Sequence, residues 1–355
     1  MTKLFNLIDY KILKPCGELT KRSRLFTGYG CNIKCKFCFY RNEKHKDIKH
    51  LIYQQLEQGK RYGILDWDIS GGEPSILPYW VDLLKDMKDM GFRNIACITN
   101  GYKFAGTDFL LKSINAGMNE ILFSVHGSCA SVHDFMTGVE GSFQMLELAL
   151  GNAFQFKDSL KVRINIVVTK DNVNDLEKII RFVYKIGYPV AINFLPYRVE
   201  NSADKKESIR FSDMNKQINR AILIGEAFNH TSKEKTKFTI RYAPVCMHRY
   251  FEKYVAGYLQ RVFDEYEWDE YTIRKFENAR FNKDIPELDC KTDKWKLQID
   301  ALDKSIRHVA GHPISCLKCR YVKVCDGIWK SYADIHGTNE FKPFEGEKTE
   351  CILFS

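Results

Sequence analysis

From Ser23 to Phe228, short runs of β-branched and aromatic residues alternate with stretches whose apolar positions recur every three to four residues. The first pattern fits strands and the second fits amphipathic helices. Strands are expected at Leu25 to Gly30, Ile64 to Gly71, Asn94 to Asn100, Glu120 to His126, Lys161 to Thr169 and Val190 to Tyr197. Trp80, Val81, Leu83, Leu84, Met87 and Met90 keep the helical period, as do Leu176, Ile179, Ile180, Val183 and Ile186, with Gly91 and Gly187 as closing glycines. Strand and helix in alternation build a parallel sheet. The expected fold class is therefore α/β, a partial (βα)6 TIM-like barrel with its chemistry at the C-terminal ends of the strands. After Phe228 the pattern dissolves into aromatic and charged text without a clean period. The expected divisions are an N-terminal extension (1–22), the barrel (23–228) and a small irregular domain (229–355), with the polar run Glu200 to Lys206 as a loop near the barrel mouth.

Composition changes this picture little. At 355 residues the chain can bury an ample core, and its net charge of +9 comes from 54 basic against 45 acidic residues spread along the sequence. No Lys/Arg block or basic-aromatic stripe points to nucleic acid. No run of eighteen apolar residues and no apolar signal segment is present, so a cytoplasmic location without membrane contact is expected. In that compartment the twelve cysteines should be reduced and open to metal.

The cysteines cluster. Cys31, Cys35 and Cys38 lie in one short run, with no fourth cysteine in line. A 4Fe-4S cluster normally takes four thiolates, so three from one loop leave an iron open to a non-protein ligand. The same three can also hold zinc with a remote His or Cys. Downstream, Cys316 and Cys319 form a CxxC, Cys325 follows six residues on, and Cys351 stands near the end.

In its spacing, and in the aromatic residue before its third cysteine, the first run resembles the signature loop of the radical S-adenosylmethionine (SAM) enzymes. Further motifs agree in order: Gly71-Gly72-Glu73-Pro74, Asn100-Gly101 and Ser124-Val125-His126-Gly127, each near a strand end. The resemblance implies a SAM-binding cluster on Cys31, Cys35 and Cys38. It places Phe37 against the adenine and the backbone near Phe39 at the base's polar edge. It gives the Gly71, Gly72, Glu73, Pro74 turn to the methionine ammonium, matches Asn100 to a family position, and gives Ser124 and Asn165 to the ribose. Many peptide-maturing relatives carry Asp where this chain has His126, which puts the substrate class in question. His126, Tyr197, Arg198 and Arg241 are the candidate polar groups at the barrel mouth.

The terminal cysteines resemble the SPASM/twitch type of auxiliary-cluster domain, in reduced form. Where the two-cluster pattern has further cysteines this chain has Trp329, and Cys246 with Gly257 is followed by Val262. The resemblance therefore implies a single fully ligated auxiliary 4Fe-4S cluster on Cys316, Cys319, Cys325 and Cys351, with Cys246 left over. A reduced flavodoxin or ferredoxin would supply electrons. The implied activity is reductive cleavage of SAM to a 5'-deoxyadenosyl radical that takes hydrogen from a ribosomally made peptide. The alternatives are a dehydrogenase or epimerase of a sugar, aminocyclitol or nucleotide sugar and, from another class, a zinc-stapled binding protein. His126 and the short stretch before Cys31, with no room for a leader-binding domain, stand against the peptide.

Overall fold

The structure, a computed structural model, describes residues 3–40, 43, 48–199, 202–279 and 284–349. Eight strands form one parallel sheet in chain order: β1 (Arg22–Phe26), β2 (Asp66–Ser70), β3 (Asn94–Thr99), β4 (Glu120–Ser124), β5 (Lys161–Val168), β6 (Ala191–Pro196), β7 (Lys237–Arg241) and β8 (Val255–Ala256). The sheet curls into a half-barrel, with helices α1 (Lys49–Tyr62), α2 (Trp80–Asp89), α3 (Thr107–Asn115), α4 (Ala130–Thr137), α5 (Ser142–Phe154), α6 (Leu176–Ile186) and α7 (Phe211–Thr231) in the connections. Both expected helices and all six expected strands are present, although the first strand lies at Arg22–Phe26, three residues before its expected start, and residues 27–30 belong to the loop that follows it.

Two strands were not anticipated. β7 and β8 follow Phe228, so the sheet runs past the expected barrel boundary to Ala256. In β7, Phe238 and Ile240 do alternate with polar residues, but five residues between charged stretches give too short a signal, and β8 has two residues. Gly225 of α7 makes the docking possible, because a Cβ there would lie 2.0 Å from the Phe238 ring.

Period two sorts the strands onto two faces. Leu25, Ile69, Ile121, Phe123, Ile164, Ile166, Ile192, Phe194 and Ile240 join Leu56, Leu83, Leu150, Ile179 and Ile222 of the helices in the core. The opposite face, inside the half-barrel, is polar. Arg22 donates to Asp68 (2.7 Å) and Glu120 (3.0 Å), and Arg163 donates to Asp68 (2.5 Å) and lies 3.2 Å from Glu120, all four side chains being buried. Onto this ionic layer folds the segment after β8. Arg22 Nε donates to the Glu265 carbonyl (2.8 Å), Arg163 to the Tyr266 carbonyl (3.3 Å), and Trp268 Nε1 to Asp68 Oδ2 (2.7 Å).

After the four-residue α8 (Tyr258–Arg261), α9 (Glu270–Ala279) lies beside β1, joined through Ser23 to Thr272 (2.8 Å) and Arg24 to Glu277 (3.1 Å). α10 (Lys294–Val309) packs beside it and runs into an antiparallel pair, β9 (Ala310–Gly311) with β10 (Ile328–Trp329). The N-terminal stretch is tied here too, by a Phe5–His312 bridge. Cys16, expected as a free thiol, is disulfide-bonded. Among the described residues no helix is long and apolar enough to cross a membrane.

Candidate active site

The C-terminal ends of the strands open on a chamber of about 990 Å³. Cys31, Cys35 and Cys38 line it, carried by the loop after β1. That loop is pinned to the end of α4: Lys34 and Lys36 N–H groups donate to the Thr137 and Met136 carbonyls at 2.9 and 3.0 Å. Burial pushes the Cys35 thiol up to about 12, with the Cys38 and Cys31 charges adding to it, and burial likewise raises Cys31. Thiols that oppose one another's ionisation in this way suit a cationic iron centre, which holds them as thiolates.

Facing the cysteines is the turn after β2. Gly72 and Glu73 N–H groups donate to the Gly28 and Gly30 carbonyls, both at 2.7 Å. The glycine pair serves this chain-to-chain approach: a Cβ on Gly71, at φ +145°, would lie 2.4 Å from Gly28 O, and one on Gly72 would lie 2.0 Å from Gly30 O. The buried Glu73 carboxylate accepts from Ser75 N–H (3.2 Å), Ser75 Oγ (2.6 Å), Thr99 Oγ1 (2.8 Å) and Asn100 N–H (2.7 Å). A carboxylate offers roughly four acceptor positions, and the four donors here divide three to Oε1 and one to Oε2, which leaves Oε2 the less engaged oxygen. Asn100 binds Asn32 of the cysteine loop (2.8 Å), which fixes the loop to the end of β3.

Residues 25–183 match the family model of the radical SAM superfamily. The chain carries a radical SAM domain. It is 27% identical over 175 residues to a "Probable GTP 3',8-cyclase" of Sulfurisphaera tokodaii, covering 48% of this chain and 54% of that protein. A second protein of that name, from Saccharolobus islandicus, is 24% identical over 217 residues, 58% of this chain and 69% of its own. The chain thus spans about half the length of the first of these relatives. Among solved structures, native anSMEcpe with bound AdoMet and a Kp18Cys peptide superposes with a TM-score of 0.57 at 16% identity, over 94% of this chain and 92% of that one. That likeness is one of fold. Streptococcus suis SuiB gives a TM-score of 0.48 at 19% identity, over 62% and 49%.

Of the residues singled out in the sequence, Phe37, Phe39, Gly71, Gly72, Glu73, Asn100, Ser124, His126, Tyr197 and Arg198 all border the chamber. Pro74 and Asn165 do not. Pro74 is buried at the start of a 3-10 turn, and the Asn165 side-chain oxygen Oδ1 accepts from Asn193 Nδ2 (2.9 Å). Arg241, expected at the mouth, is instead buried and paired with Asp264 and Glu267, both at 3.1 Å. It sits on the inner face of β7, a strand absent from the expected fold, and the 264–269 segment reaches it there. Phe37 meets His126 edge-on at 4.6 Å, and exposed Phe39 stacks on Tyr197 at 6.1 Å.

His126 is buried and its Nδ1 accepts from Val167 N–H (3.3 Å), so Nε2 carries the hydrogen. Burial pulls His126 well below the ordinary range, with the His133 charge in support, and burial pulls His133 down to about 4. The unfolded chain takes up protons on both near pH 6.5 while the folded chain refuses them, so these groups erode stability as pH falls from 6.5 toward 4. In an NMR titration of ring-labelled histidine, His133 should therefore hold its shift from pH 8 to 5 and move near pH 4. A midpoint above 6 would show the ring to be solvated.

One side of the chamber wall comes from residues that sequence reasoning missed: Tyr242, Tyr258, Arg261, Trp268, Glu270, Arg274 and Glu277. Arg261 donates to Tyr242 Oη (3.3 Å) and lies 3.3 Å from Glu270, while Tyr242 and Tyr258 rings lie 4.7 Å apart. Tyr242 has φ +58°, uncommon for a bulky residue. The only signal for this wall was the density of Arg, Glu and aromatic residues between 242 and 277.

The terminal cysteines line a second, small cavity. Cys316 and Cys319 come from the turn Ile314–Lys318 and its end, Cys325 from the next loop, and Cys246 joins them. Cys351 lies outside the described residues. Of two consecutive residues in β10, Ile328 faces the small cavity and Trp329 the large chamber.

Proposed function

We propose that the three cysteines Cys31, Cys35 and Cys38 hold a 4Fe-4S cluster whose open iron binds SAM. On this reading the enzyme cleaves SAM reductively and takes a hydrogen atom from its substrate. The observation that carries the reading is the shared chamber: three thiols, the Gly71 to Glu73 turn, Asn100 and Ser124 converge there, and among the described residues no other cysteine lines it. Bound cluster and SAM supply the radical chemistry. The chain's own residues position SAM, with Phe37 beside the adenine, the less engaged Oε2 of Glu73 toward the ammonium and Ser124 toward the ribose. Asn165 reaches the ribose only if its bond to Asn193 gives way.

A second 4Fe-4S cluster on Cys316, Cys319 and Cys325 belongs to the same reading, as a relay beyond the wall formed by Ile328 and Trp329. A flavodoxin or ferredoxin is the proposed donor. For the substrate we propose a peptide, whose charged and aromatic side chains suit a wall of Arg261, Glu270, Arg274, Tyr258 and Trp268. A nucleotide or nucleotide sugar is the second reading, favoured by the sequence matches to proteins named GTP 3',8-cyclase and by arginines beside aromatic rings. The test is anaerobic reconstitution with iron and sulfide, then dithionite and SAM. About eight irons per chain, at four per cluster, with slow release of 5'-deoxyadenosine is expected. Bound zinc without cleavage would return the chain to the zinc-stapled binding class.

A further inference from the structure

We infer that Cys246 is the thiol that completes Cys316, Cys319 and Cys325 as the ligand set of the auxiliary cluster. The inference rests on the proposal that these terminal cysteines hold iron and sulfide, and it replaces Cys351 as the fourth ligand. Four cysteines from three separate turns border one small cavity whose remaining walls include Pro244, Val245, Val322 and Phe341. Val245 borders this cavity together with Cys325, and its N–H favours the Cys325 thiolate, so the turn Val245–Met247 faces that ligand one residue before Cys246. Gly327 N–H approaches the same sulfur at 3.5 Å. Backbone donors aimed at a buried sulfur favour its thiolate form.

Electrostatics agree with the placement. Burial raises the Cys246 thiol, and the charges of Cys325, Cys316 and Cys319, which line the same cavity, raise it further. A lone buried cysteine packs as a small hydrophobe. Four that face one another in an apolar chamber match the four thiolates of a closed 4Fe-4S site. Each thiol releases its proton to solvent as its iron–sulfur bond forms, and with ferric iron as the source the excess thiol of the reconstitution mixture supplies the two electrons that bring four irons to the mixed-valent cluster. Among the described residues no three His, Cys, Asp or Glu converge tightly enough for a single metal ion. His312, the nearest competing donor, is engaged: Nε2 donates to the Cys325 carbonyl (2.9 Å), and the ring also faces the Phe5 carbonyl.

The placement ties the auxiliary site to the barrel. Cys246 follows β7 by five residues, and Tyr242, four residues before it, lines the large chamber. A cluster bound here would be bonded both to the end of the parallel sheet and to the terminal segment.

The full-length chain with Cys31, Cys35 and Cys38 all changed to Ala isolates the auxiliary site. After anaerobic reconstitution it should retain about four irons and four sulfides. Adding Cys246→Ala should bring iron to nearly none, while adding Cys351→Ala should leave the count unchanged. Cys246→Ser keeps an oxygen ligand of similar size, and it should retain iron but shift the electron paramagnetic resonance signal of the reduced cluster. Circular dichroism and elution volume show whether each variant is folded. Should Cys246→Ala misfold, the Ser variant decides: an unchanged signal overturns the assignment. Retention of about four irons by folded Cys246→Ala, with their loss in Cys351→Ala, overturns it as well and leaves the auxiliary cluster standing on Cys351. No iron in the three-alanine parent would instead sink the auxiliary cluster, and the ligand assignment with it.

Discussion

Replacing Cys35 by Ala should abolish 5'-deoxyadenosine release, to the level of a protein-free control, while leaving about four irons per chain in the auxiliary site. Cys35 is the middle of the three thiols, and burial pushes it up to about 12. With two cysteines left, the cluster lacks an anchor. The loop itself should survive, since Lys34 and Lys36 hold it to α4 through backbone hydrogen bonds that alanine does not touch. Cys97→Ala is the matching control. That thiol is buried on the helix-facing side of β3, in the apolar core, and its replacement should leave release intact. Anaerobic chromatography of the nucleoside and an iron count on the same samples separate the outcomes. Undiminished release from Cys35→Ala would remove the chemistry proposed for this chain.

Much of the architecture was legible because each layer of the fold writes a different period. The strands put apolar residues toward the helices and polar ones inward, and the glycine-bearing turns punctuate them. Legibility failed where the signal was short or long-range. β8 has two residues, and β7 offers only Phe238 and Ile240 as apolar positions. The inner wall from Tyr242 to Glu277 has no period, since its residues reach the chamber from a turn, two helices and a loop threaded into the barrel. Arg241 shows the cost of that blindness. Its charge reads as substrate-binding until Asp264 and Glu267, more than twenty residues on, are found beside it. Motifs placed the site residues better than they explained them. The Gly71-Gly72 pair reads as a cradle for a ligand, and its tightest approaches are to the backbone of Gly28 and Gly30. Asn165 was lost to the chamber by a neighbour, Asn193, that register alone brings opposite it.

The ionic layer beneath the chamber leads to a second large effect, on stability. Asp68 accepts from Arg22 (2.7 Å), Arg163 (2.5 Å) and Trp268 (2.7 Å), with Glu120 the one other acid among the described residues that pairs with the two buried guanidiniums. Burial alone would push the Asp68 carboxyl up, but the Arg163 and Arg22 charges hold it below the usual carboxylate range. Its folded value being depressed, its contribution is complete above the unfolded value near 4 and is lost as pH falls through the folded one. Asp68→Ala leaves two arginines on one acid in a water-poor interior. Breaking such a buried pair costs about 3–5 kcal/mol, against a typical total of about 5–15 kcal/mol. The urea midpoint should fall accordingly, and Trp268, released from its acceptor, should loosen the chamber wall and weaken substrate binding. The double variant Asp68→Leu with Arg163→Met removes one charge of each sign and should recover much of the loss, because apolar packing can replace a buried ion pair at little cost. A single variant within about 1 kcal/mol of wild type would mean that water, not Asp68, compensates the arginines. The layer would then be a hydrated floor and not a dry brace.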